Sequence, residues 1–240
     1  MKNFKAAQRG LYVHIPFCAG KCPYCDFYSV VRKKNESDIA VCSAYIRAVL
    51  NEARSFSHWA MPFTSLYLGG GSPSLLSISE LSGLLVGLRE IFRFTPNAEF
   101  SIELNPADVS KANAKAWLEM GFNRFSLGVQ SFADDVLRLL GRRHDAGAAR
   151  EAIEELRKAG VTNLGLDMIF GTVPGQGSWQ RDLEKALAVA PEHMSLYELT
   201  LCARTALGRR AELGEKIKVT EEPAAEIYLS THEKMEKAGY

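Results

Sequence analysis

Short apolar stretches of strand length alternate along the chain with longer stretches in which apolar residues recur every three or four positions. A short apolar run predicts a buried strand, and the longer period predicts an amphipathic helix. The predicted strands are 11–15, 65–68, 100–104, 125–129, 164–169 and 194–199. The predicted helices are 39–56, 77–92, 111–120, 148–159, 179–189 and 223–238. Strict alternation of strand and helix is typical of a parallel sheet with right-handed crossovers, so the pattern predicts an α/β fold.

Local signals mark several helix ends. Ser77 and Glu80 have the spacing of a capping box at the start of the second predicted helix. Gly121, Gly160 and Gly239 each follow a predicted helix, where a residue in the left-handed conformation commonly ends it. These residues support the boundaries that the periodicity predicts.

The chemically unusual residues fall directly after the predicted strands. In parallel β/α folds the loops at this edge of the sheet carry the chemistry. The positions concerned are the cysteines after the first strand, Gly69–Gly71, Glu103–Pro106, Gln130, Asp167 with Gly171–Gln176, and Thr200. The sequence therefore predicts one functional site at the carboxyl edge of the sheet.

Three cysteines, Cys18, Cys22 and Cys25, stand in the run L-Y-V-H-I-P-F-C-A-G-K-C-P-Y-C-D-F. Thiolates at this spacing can each bind one iron of a cubane cluster and leave a further iron open to a small molecule, whereas ferredoxins close their clusters with four cysteines. Zinc is the alternative, but structural zinc takes four ligands, and no second pair of Cys or His follows. Cys42 and Cys202 are predicted to be bystanders.

Composition and charge narrow the class of protein. The 240 residues are 47% hydrophobic and 24% charged, which is ordinary for a globular domain of this length. The net charge of +1 gives no argument for a nucleic-acid partner. Five cysteines, of which three are clustered, favour a reducing compartment. With neither a signal-peptide core nor an apolar stretch long enough for a membrane span, we expect a cytoplasmic protein.

The C-x-x-x-C-x-x-C spacing resembles the signature of the radical S-adenosylmethionine (SAM) family. Tyr12 to Cys18, Y-V-H-I-P-F-C, is similar to the branch that contains the oxygen-independent coproporphyrinogen III oxidases and the HemW-type heme chaperones. The resemblance implies a six-unit partial (β/α)6 radical SAM barrel over 1–240, with a [4Fe–4S] cluster on the three cysteines. It also implies SAM on the open iron, which in this family is cleaved to a 5′-deoxyadenosyl radical by an electron from the cluster.

The resemblance further implies a set of SAM contacts. These are Tyr12, Tyr24, Gly70, Gly71, Ser72, Glu103, Gln130, Arg142, Asp167 and Thr200. The planar fork of Arg142 suits a carboxylate. The carboxylate of Glu103 could accept hydrogen bonds from ribose hydroxyls or an ammonium group. Asp167 lies in an apolar strand, where an unpartnered carboxylate is costly, so we expect it to contact a ligand or an arginine.

Plainer interpretations of these residues stay open. The glycines, which give backbone room to approach a ligand, could form only a tight turn. Glu103 could be a surface carboxylate near Arg124. His14 is as consistent with a structural histidine as with a ligand, and Arg143 and His144 could simply begin a helix.

Two positions depart from the family pattern and bear on function. Leu201 to Thr205, L-C-A-R-T, replaces the usual x-Glu-Pro-x-Thr, which puts one rim of the SAM pocket in doubt. Phe27 stands where the oxidases place a further cysteine, and the C-D-F continuation resembles the heme chaperones.

Two functions therefore remain open on this resemblance. One is binding heme and delivering it to respiratory proteins, and the other is radical decarboxylation of a porphyrinogen. Both imply an electron donor such as flavodoxin or ferredoxin. Family members also continue into a C-terminal domain, which we expect to be absent from these 240 residues.

Overall fold

Six parallel strands form the frame of the molecule in a computed structural model that describes residues 9–32, 36–59, 61–175 and 177–240. The strands in chain order are β1 (Gly10–Ile15), β2 (Phe17–Cys18), β3 (Val30–Val31), β4 (Phe63–Gly70), β5 (Phe94–Leu104), β6 (Arg124–Gln130), β7 (Leu164–Phe170) and β8 (His193–Glu198). The large sheet has the order β1-β4-β5-β6-β7-β8, and every pairing in it is parallel. The predicted α/β fold with a six-stranded partial barrel is confirmed.

Helices connect the strands and cover the outside of the sheet. They are α1 (Glu36–Ser55), α2 (Ile78–Ile91), α3 (Lys111–Glu119), α4 (Asp134–Leu139), α5 (Ala146–Ala159), α6 (Trp179–Ala188), α7 (Ala206–Glu212) and α8 (Glu221–Lys237). In the described part of the chain, none of them combines the length and the apolar character that crossing a membrane requires.

The predicted strands and long helices are all present, with boundaries shifted by a few residues. The largest shift is in β5, which begins at Phe94 rather than at position 100. The capping box of Ser77 and Glu80 is formed at the start of α2. Gly160 ends α5 with a backbone φ of 103°, as the sequence predicts. Elements that the sequence did not predict are the short ones, β2, β3, α4 and α7.

Alternation along the strands separates two environments. On β4, Leu66 and Leu68 are fully buried against the helices, while Tyr67 between them faces the other side of the sheet. On β7, Leu166 and Met168 are likewise buried, while Asp167 faces the cleft described below. The apolar core therefore lies between sheet and helices, and polar side chains line the inside of the partial barrel.

A buried ion pair connects the end of the cysteine-containing loop to α2. Arg32, just after β3, pairs with Glu80 at 3.2 Å between Nη2 and Oε1, and the two side chains are only 7% and 9% exposed. Arg32 Nη1 also donates to the carbonyl of Leu75 at 3.2 Å.

Replacing Glu80 by alanine is expected to lower the free energy of unfolding by about 3–5 kcal/mol, because it leaves a buried guanidinium without its partner. The Ser77→Ala variant removes the cap and the hydroxyl's hydrogen bond to Glu80 but leaves the ion pair, and it is expected to cost about 1 kcal/mol. Denaturant titration of both variants measures the difference. If the two variants lose the same free energy of unfolding, the Arg32–Glu80 pair adds no stability beyond that of the helix cap.

Candidate functional site

A cleft of about 540 Å³ opens at the carboxyl ends of the strands, where the sequence predicts the site. All three clustered cysteines line it. The predicted SAM-contacting residues that line it are Tyr24, Gly70, Gly71, Ser72, Glu103, Gln130, Arg142, Asp167 and Thr200. Of the residues predicted between 171 and 176, Gln176 lies outside the described residues.

Tyr12 is the predicted contact that the structure does not bring into the cleft. It lies on β1 with 56% of its surface exposed, and its hydroxyl is 3.0 Å from Nδ1 of His14. The other ring nitrogen of His14 is 3.0 Å from the carbonyl of Tyr28. Because both ring nitrogens have partners within the protein, His14 fits the structural interpretation rather than that of a ligand.

The cysteine-containing loop is closed at its base by its own backbone. β2 and β3 pair Phe17 with Val30 and Cys18 with Val31. The amide of Val30 donates to the carbonyl of Pro16, and the amide of Arg32 donates to that of Cys18, both at 2.7 Å. Cys18 at the end of β2 and the loop that carries Cys22 and Cys25 therefore share one hydrogen-bonded base, and all three cysteines line the cleft.

The segment around α7 holds the middle of this loop from the opposite side. The amide of Leu207 donates to the carbonyl of Pro23 at 2.7 Å. The guanidinium of Arg204 forms two hydrogen bonds to the carboxylate of Asp26, next to the last clustered cysteine. Cys202, predicted to be a bystander, also lies on the cleft wall, and its thiol is hydrogen-bonded to Asp26. The departure from the family pattern at 201–205 therefore contributes direct contacts to the cysteine-containing loop.

Polar side chains approach two of the thiols. The hydroxyl of Ser72 donates to Sγ of Cys18 at 3.9 Å, and Nη1 of Arg142 lies 3.8 Å from Sγ of Cys22. Burial raises the pKa of the Cys18 thiol, and the Ser72 hydroxyl acts in the opposite direction. Thiolates are the form that binds iron, and a nearby guanidinium or hydroxyl stabilises them.

The arrangement of donors bears on the kind of metal centre. Within the described ranges, no three His, Cys, Asp or Glu side chains converge on a point that one metal ion could occupy. Three cysteines that each bind a different iron of a cubane do not have to converge in that way. The three thiols around one cleft, with Ser72 and Arg142 beside two of them, fit a cluster that takes one thiolate per iron.

Two of the cleft glycines are required by the packing of the chain itself. Gly70 has a backbone φ of +111°, and a Cβ there would lie 2.4 Å from the ring of His14. A Cβ at Gly71 would lie 2.8 Å from the carbonyl oxygens of Ile15 and Phe17. The glycines therefore allow this loop to approach the start of the cysteine-containing segment, and a side chain at Gly70 would disturb the fold as well as any ligand.

Glu103 is held inside the cleft and not at the surface near Arg124. Its Oε1 accepts from the hydroxyl of Tyr67 at 2.9 Å, and its Oε2 accepts from the amide of Gly70 at 3.0 Å. Arg124 instead pairs with Glu99 at 3.5 Å. Burial raises the pKa of Glu103, while these two hydrogen bonds favour its charged form.

Asp167 has hydroxyl partners rather than an arginine within the described part of the chain. The hydroxyl of Ser126 donates to Oδ2 of Asp167 at 2.9 Å, and Ser195 forms a further hydrogen bond. Burial raises the pKa of this carboxyl. The expectation was a ligand or an arginine; the hydrogen bonds within the protein come from two serines, Arg124 acts on the carboxylate only through its charge, and the carboxylate faces the cleft, where a ligand could reach it.

Arg142 is fixed beside the end of β6. Its Nη2 donates to the carbonyl of Gly128 at 2.8 Å, and among the described residues its buried Nε has no hydrogen-bond partner. Gln130, at the end of the same strand, has a backbone φ of 68° where the β6–β7 register shifts. A non-glycine residue in this conformation is uncommon and is often found at functional sites.

Two further residues of this loop correct the sequence interpretation. Arg143 pairs with Asp108 at 3.1 Å, and the N-cap of α5 is Asp145. His144 is buried, 3.1 Å from the carbonyl of Val129, and burial lowers its pKa to about 4. Both side chains therefore fasten the loop to its neighbours and do more than begin a helix.

Tyr24 and Thr200 both line the cleft but differ in exposure. Burial raises the pKa of Tyr24 to about 12, and the neighbouring Arg142 guanidinium lowers it in part. Thr200 is exposed, and its hydroxyl donates only weakly, at 3.5 Å, to the carbonyl of Glu198. Thr200 is therefore the exposed residue of the two, and Tyr24 is half-buried on the cleft wall close to the cysteines.

A cysteine-lined cleft at the carboxyl edge of a six-stranded parallel partial barrel is the arrangement that the sequence resemblance implies, and comparison with known proteins agrees. The family model described as the Radical SAM superfamily matches residues 12–185. The chain belongs to the radical SAM superfamily. Membership implies a [4Fe–4S] cluster and SAM as the cofactors of this fold.

Three individual proteins show which members of the superfamily this chain resembles. The chain is 34% identical over 232 residues to the heme chaperone HemW of Synechocystis, covering 95% of this chain and 56% of that protein. It is 34% identical over 236 residues to an anaerobilin synthase of Escherichia coli O157:H7, covering 97% of this chain and 52% of that protein. The solved structure of the coproporphyrinogen III oxidase HemN from Escherichia coli matches 97% of this chain and 53% of its own, with 27% identity and a TM-score of 0.84. The chain spans about half the length of these relatives.

Proposed function

We propose that this chain is the SAM-binding core of a heme chaperone of the HemW type, which binds heme and delivers it to respiratory proteins. The observation that carries the core of the proposal is that one cleft brings the three clustered cysteines together with Arg142 and two partly buried carboxylates, Glu103 and Asp167. The cysteines would hold the cluster. When bound, the cluster and SAM together supply a reductively generated 5′-deoxyadenosyl radical.

The remaining residues of the cleft have roles that their contacts support. Arg142 presents a fixed guanidinium whose Nε lacks a partner in the described part of the chain, which suits the carboxylate of SAM. Glu103 and Asp167 each keep lone pairs for hydroxyl or ammonium donors after their internal hydrogen bonds are counted. Tyr24, which stands between two of the cysteines in the sequence, contributes an aromatic ring to the cleft wall.

The chaperone function is supported by the residue that follows the cysteines. Phe27 lines the cleft yet is 69% exposed, so it does not serve simply to pack beside the loop. Tyr28 next to it is also exposed, but its ring packs near His14 and does not line the cleft. Phe27 is thus an exposed aromatic ring on the cleft wall, which suits a flat apolar ligand such as heme, because aromatic surface gains most when it is covered.

An enzyme of porphyrin chemistry is the alternative, and the similarity to the HemN structure favours it over other radical SAM functions. In that case the reaction would be oxygen-independent decarboxylation of coproporphyrinogen III. Sequence identity does not separate a chaperone from an enzyme in this family, since the heme chaperone and the anaerobilin synthase named above are both 34% identical to the chain. Either function would draw electrons from a donor such as flavodoxin or ferredoxin.

An anaerobic assay of the full-length protein tests the chaperone proposal. With reductant, SAM and coproporphyrinogen III, we expect no protoporphyrin fluorescence after oxidation, because Phe27 stands where the oxidases place a cysteine. The same preparation is expected to retain heme through gel filtration. A coproporphyrinogen oxidase run in parallel shows that the assay can detect turnover. Steady formation of protoporphyrin by this protein would overturn the chaperone proposal and leave the oxidase.

A further inference from the structure

The carboxylate of Glu103 is fixed by two donors from the neighbouring strand. The amide of Gly70 and the hydroxyl of Tyr67 both belong to β4, which pairs with β5 along its length. Each donor takes a different oxygen. Since an ionised carboxylate has about four lone-pair positions, both oxygens keep room for a ligand's donors. The two donors on β4 therefore fix the orientation of the Glu103 carboxylate in the cleft.

The position of Tyr67 is itself defined by its surroundings. Its ring stacks on that of Tyr12 with centroids 6.1 Å apart and an interplanar angle of 28°. A Cβ at Gly69 would lie 2.7 Å from Cε1 of Tyr67 and 2.8 Å from Oε1 of Glu103. A side chain at position 69 would thus separate the hydroxyl from the carboxylate. Tyr12, which does not reach the cleft, contributes by holding the ring of Tyr67.

We infer that Tyr67 is a positioning residue for SAM, whose hydroxyl holds Glu103 in the orientation that receives the hydroxyl or ammonium donors of the ligand. The inference rests on the proposed function, because it assigns a role within the same SAM cleft. Tyr67 lies behind the cleft wall, so it acts through Glu103.

The charge of Glu103 makes this role measurable. The groups that face it are Tyr67 and the Gly70 amide from β4, His14 from β1 and Asp167 from β7. Burial and Asp167 raise the pKa of Glu103, while Tyr67, the Gly70 amide and His14 lower it. Removing the Tyr67 hydroxyl therefore raises the pKa of Glu103 further. Because the neutral acid accepts fewer hydrogen bonds, SAM affinity should begin to fall at a higher pH in a variant without this hydroxyl.

The test compares SAM binding by cluster-loaded protein and its Tyr67→Phe variant by calorimetric titration across a pH series. We expect the dissociation constant of the variant to rise about tenfold near neutral pH, which corresponds to one hydrogen bond to a charged group. We also expect the acid side of its affinity profile to move to higher pH, with iron content unchanged. The matched control is Tyr240→Phe, which removes a phenol hydroxyl that donates to the carbonyl of Pro191 at 2.6 Å, far from the cleft.

A double-mutant cycle separates positioning from a general structural effect. If Tyr67 acts through Glu103, the Tyr67→Phe change should cost little more once Glu103→Gln is present, because the charged acceptor is already gone. Equal dissociation constants and equal pH profiles for the Tyr67→Phe variant and the unsubstituted protein would overturn the inference and leave the proposed function intact. Losses of SAM affinity that simply add in the double variant would overturn the inference as well. Failure of the unsubstituted, cluster-loaded protein to bind SAM would overturn the proposed function and this inference with it.

Discussion

Alanine in place of any one of Cys18, Cys22 or Cys25 is expected to abolish the brown iron–sulfur chromophore of anaerobically reconstituted protein. Each of the three thiolates would bind a different iron, so losing one leaves two irons without a protein ligand and the cluster with too few anchors. All three thiols line the same cleft, and the loop that carries them is closed at its base by β2 and β3. Visible absorption together with iron and sulfide analysis measures the loss.

The remaining cysteines provide the controls. Cys42 is buried in the core on α1, and Cys202 lies on the cleft wall with its thiol bonded to Asp26. Cys42→Ala and Cys202→Ala are both expected to keep the chromophore. The Cys202→Ala control is the more demanding of the two, since this thiol faces the same space as the three clustered ones. A colourless Cys202→Ala protein that is otherwise folded would show that the cluster ligands are assigned incorrectly.

Arg142→Met is expected to weaken SAM binding about a hundredfold, or by about 2.7 kcal/mol, while the cluster is retained. The guanidinium is fixed by Gly128, and within the described residues its Nε is left without a partner. A carboxylate bound there would gain charge-assisted hydrogen bonds that methionine cannot provide. Calorimetric titration of SAM against cluster-loaded protein measures the change, and iron analysis checks the cluster because Nη1 lies 3.8 Å from Sγ of Cys22.

Adjacent Arg→Lys changes supply a matched comparison. Arg142→Lys keeps the charge but loses the planar fork, so we expect about a tenfold loss of SAM affinity. Arg143→Lys retains a cation for Asp108, its partner at 3.1 Å, and should leave the affinity within about twofold. Equal effects at the two positions would mean that the response reflects general positive charge at this rim, and that Arg142 has no specific contact with SAM.

The location of the site could be predicted from the sequence because it requires only that the strands be recognised along the chain and that they be parallel. The strands at 65–68 and 164–169 have clear apolar patterns, and parallel strands bring their carboxyl ends to one edge of a sheet. Gly70, Gly71, Glu103 and Asp167 therefore had to meet once the strands were recognised. The resemblance to the radical SAM family added what the site binds, which the positions of the strands do not indicate.

The short elements could not be predicted in this way. α4 has six residues and α7 has seven, which is about two turns each and too short for a helical period to stand out. β2 and β3 have two residues each and exist because the loop between them closes on itself. Such elements depend on tertiary contacts.

The interior hydrogen bonds were only partly accessible from the sequence. On β4, Ser65 and Tyr67 alternate with buried leucines, a pattern that places their side chains inside the barrel. This signal could have identified Tyr67 as a polar interior residue. It could not have identified Glu103 as its partner, because that depends on the exact register between β4 and β5, which pairs Tyr67 with Ser101.

The contacts between the cysteine-containing loop and the α7 segment have a consequence for biosynthesis. Asp26 and Arg204 are 178 residues apart in the sequence. At a synthesis rate of about 5–20 residues per second, roughly 10–35 s separate the appearance of the two. The cysteines thus leave the ribosome well before the partners of their loop are made. If cluster loading needs the loop held by Arg204, we expect it to follow synthesis of the last strand of the barrel.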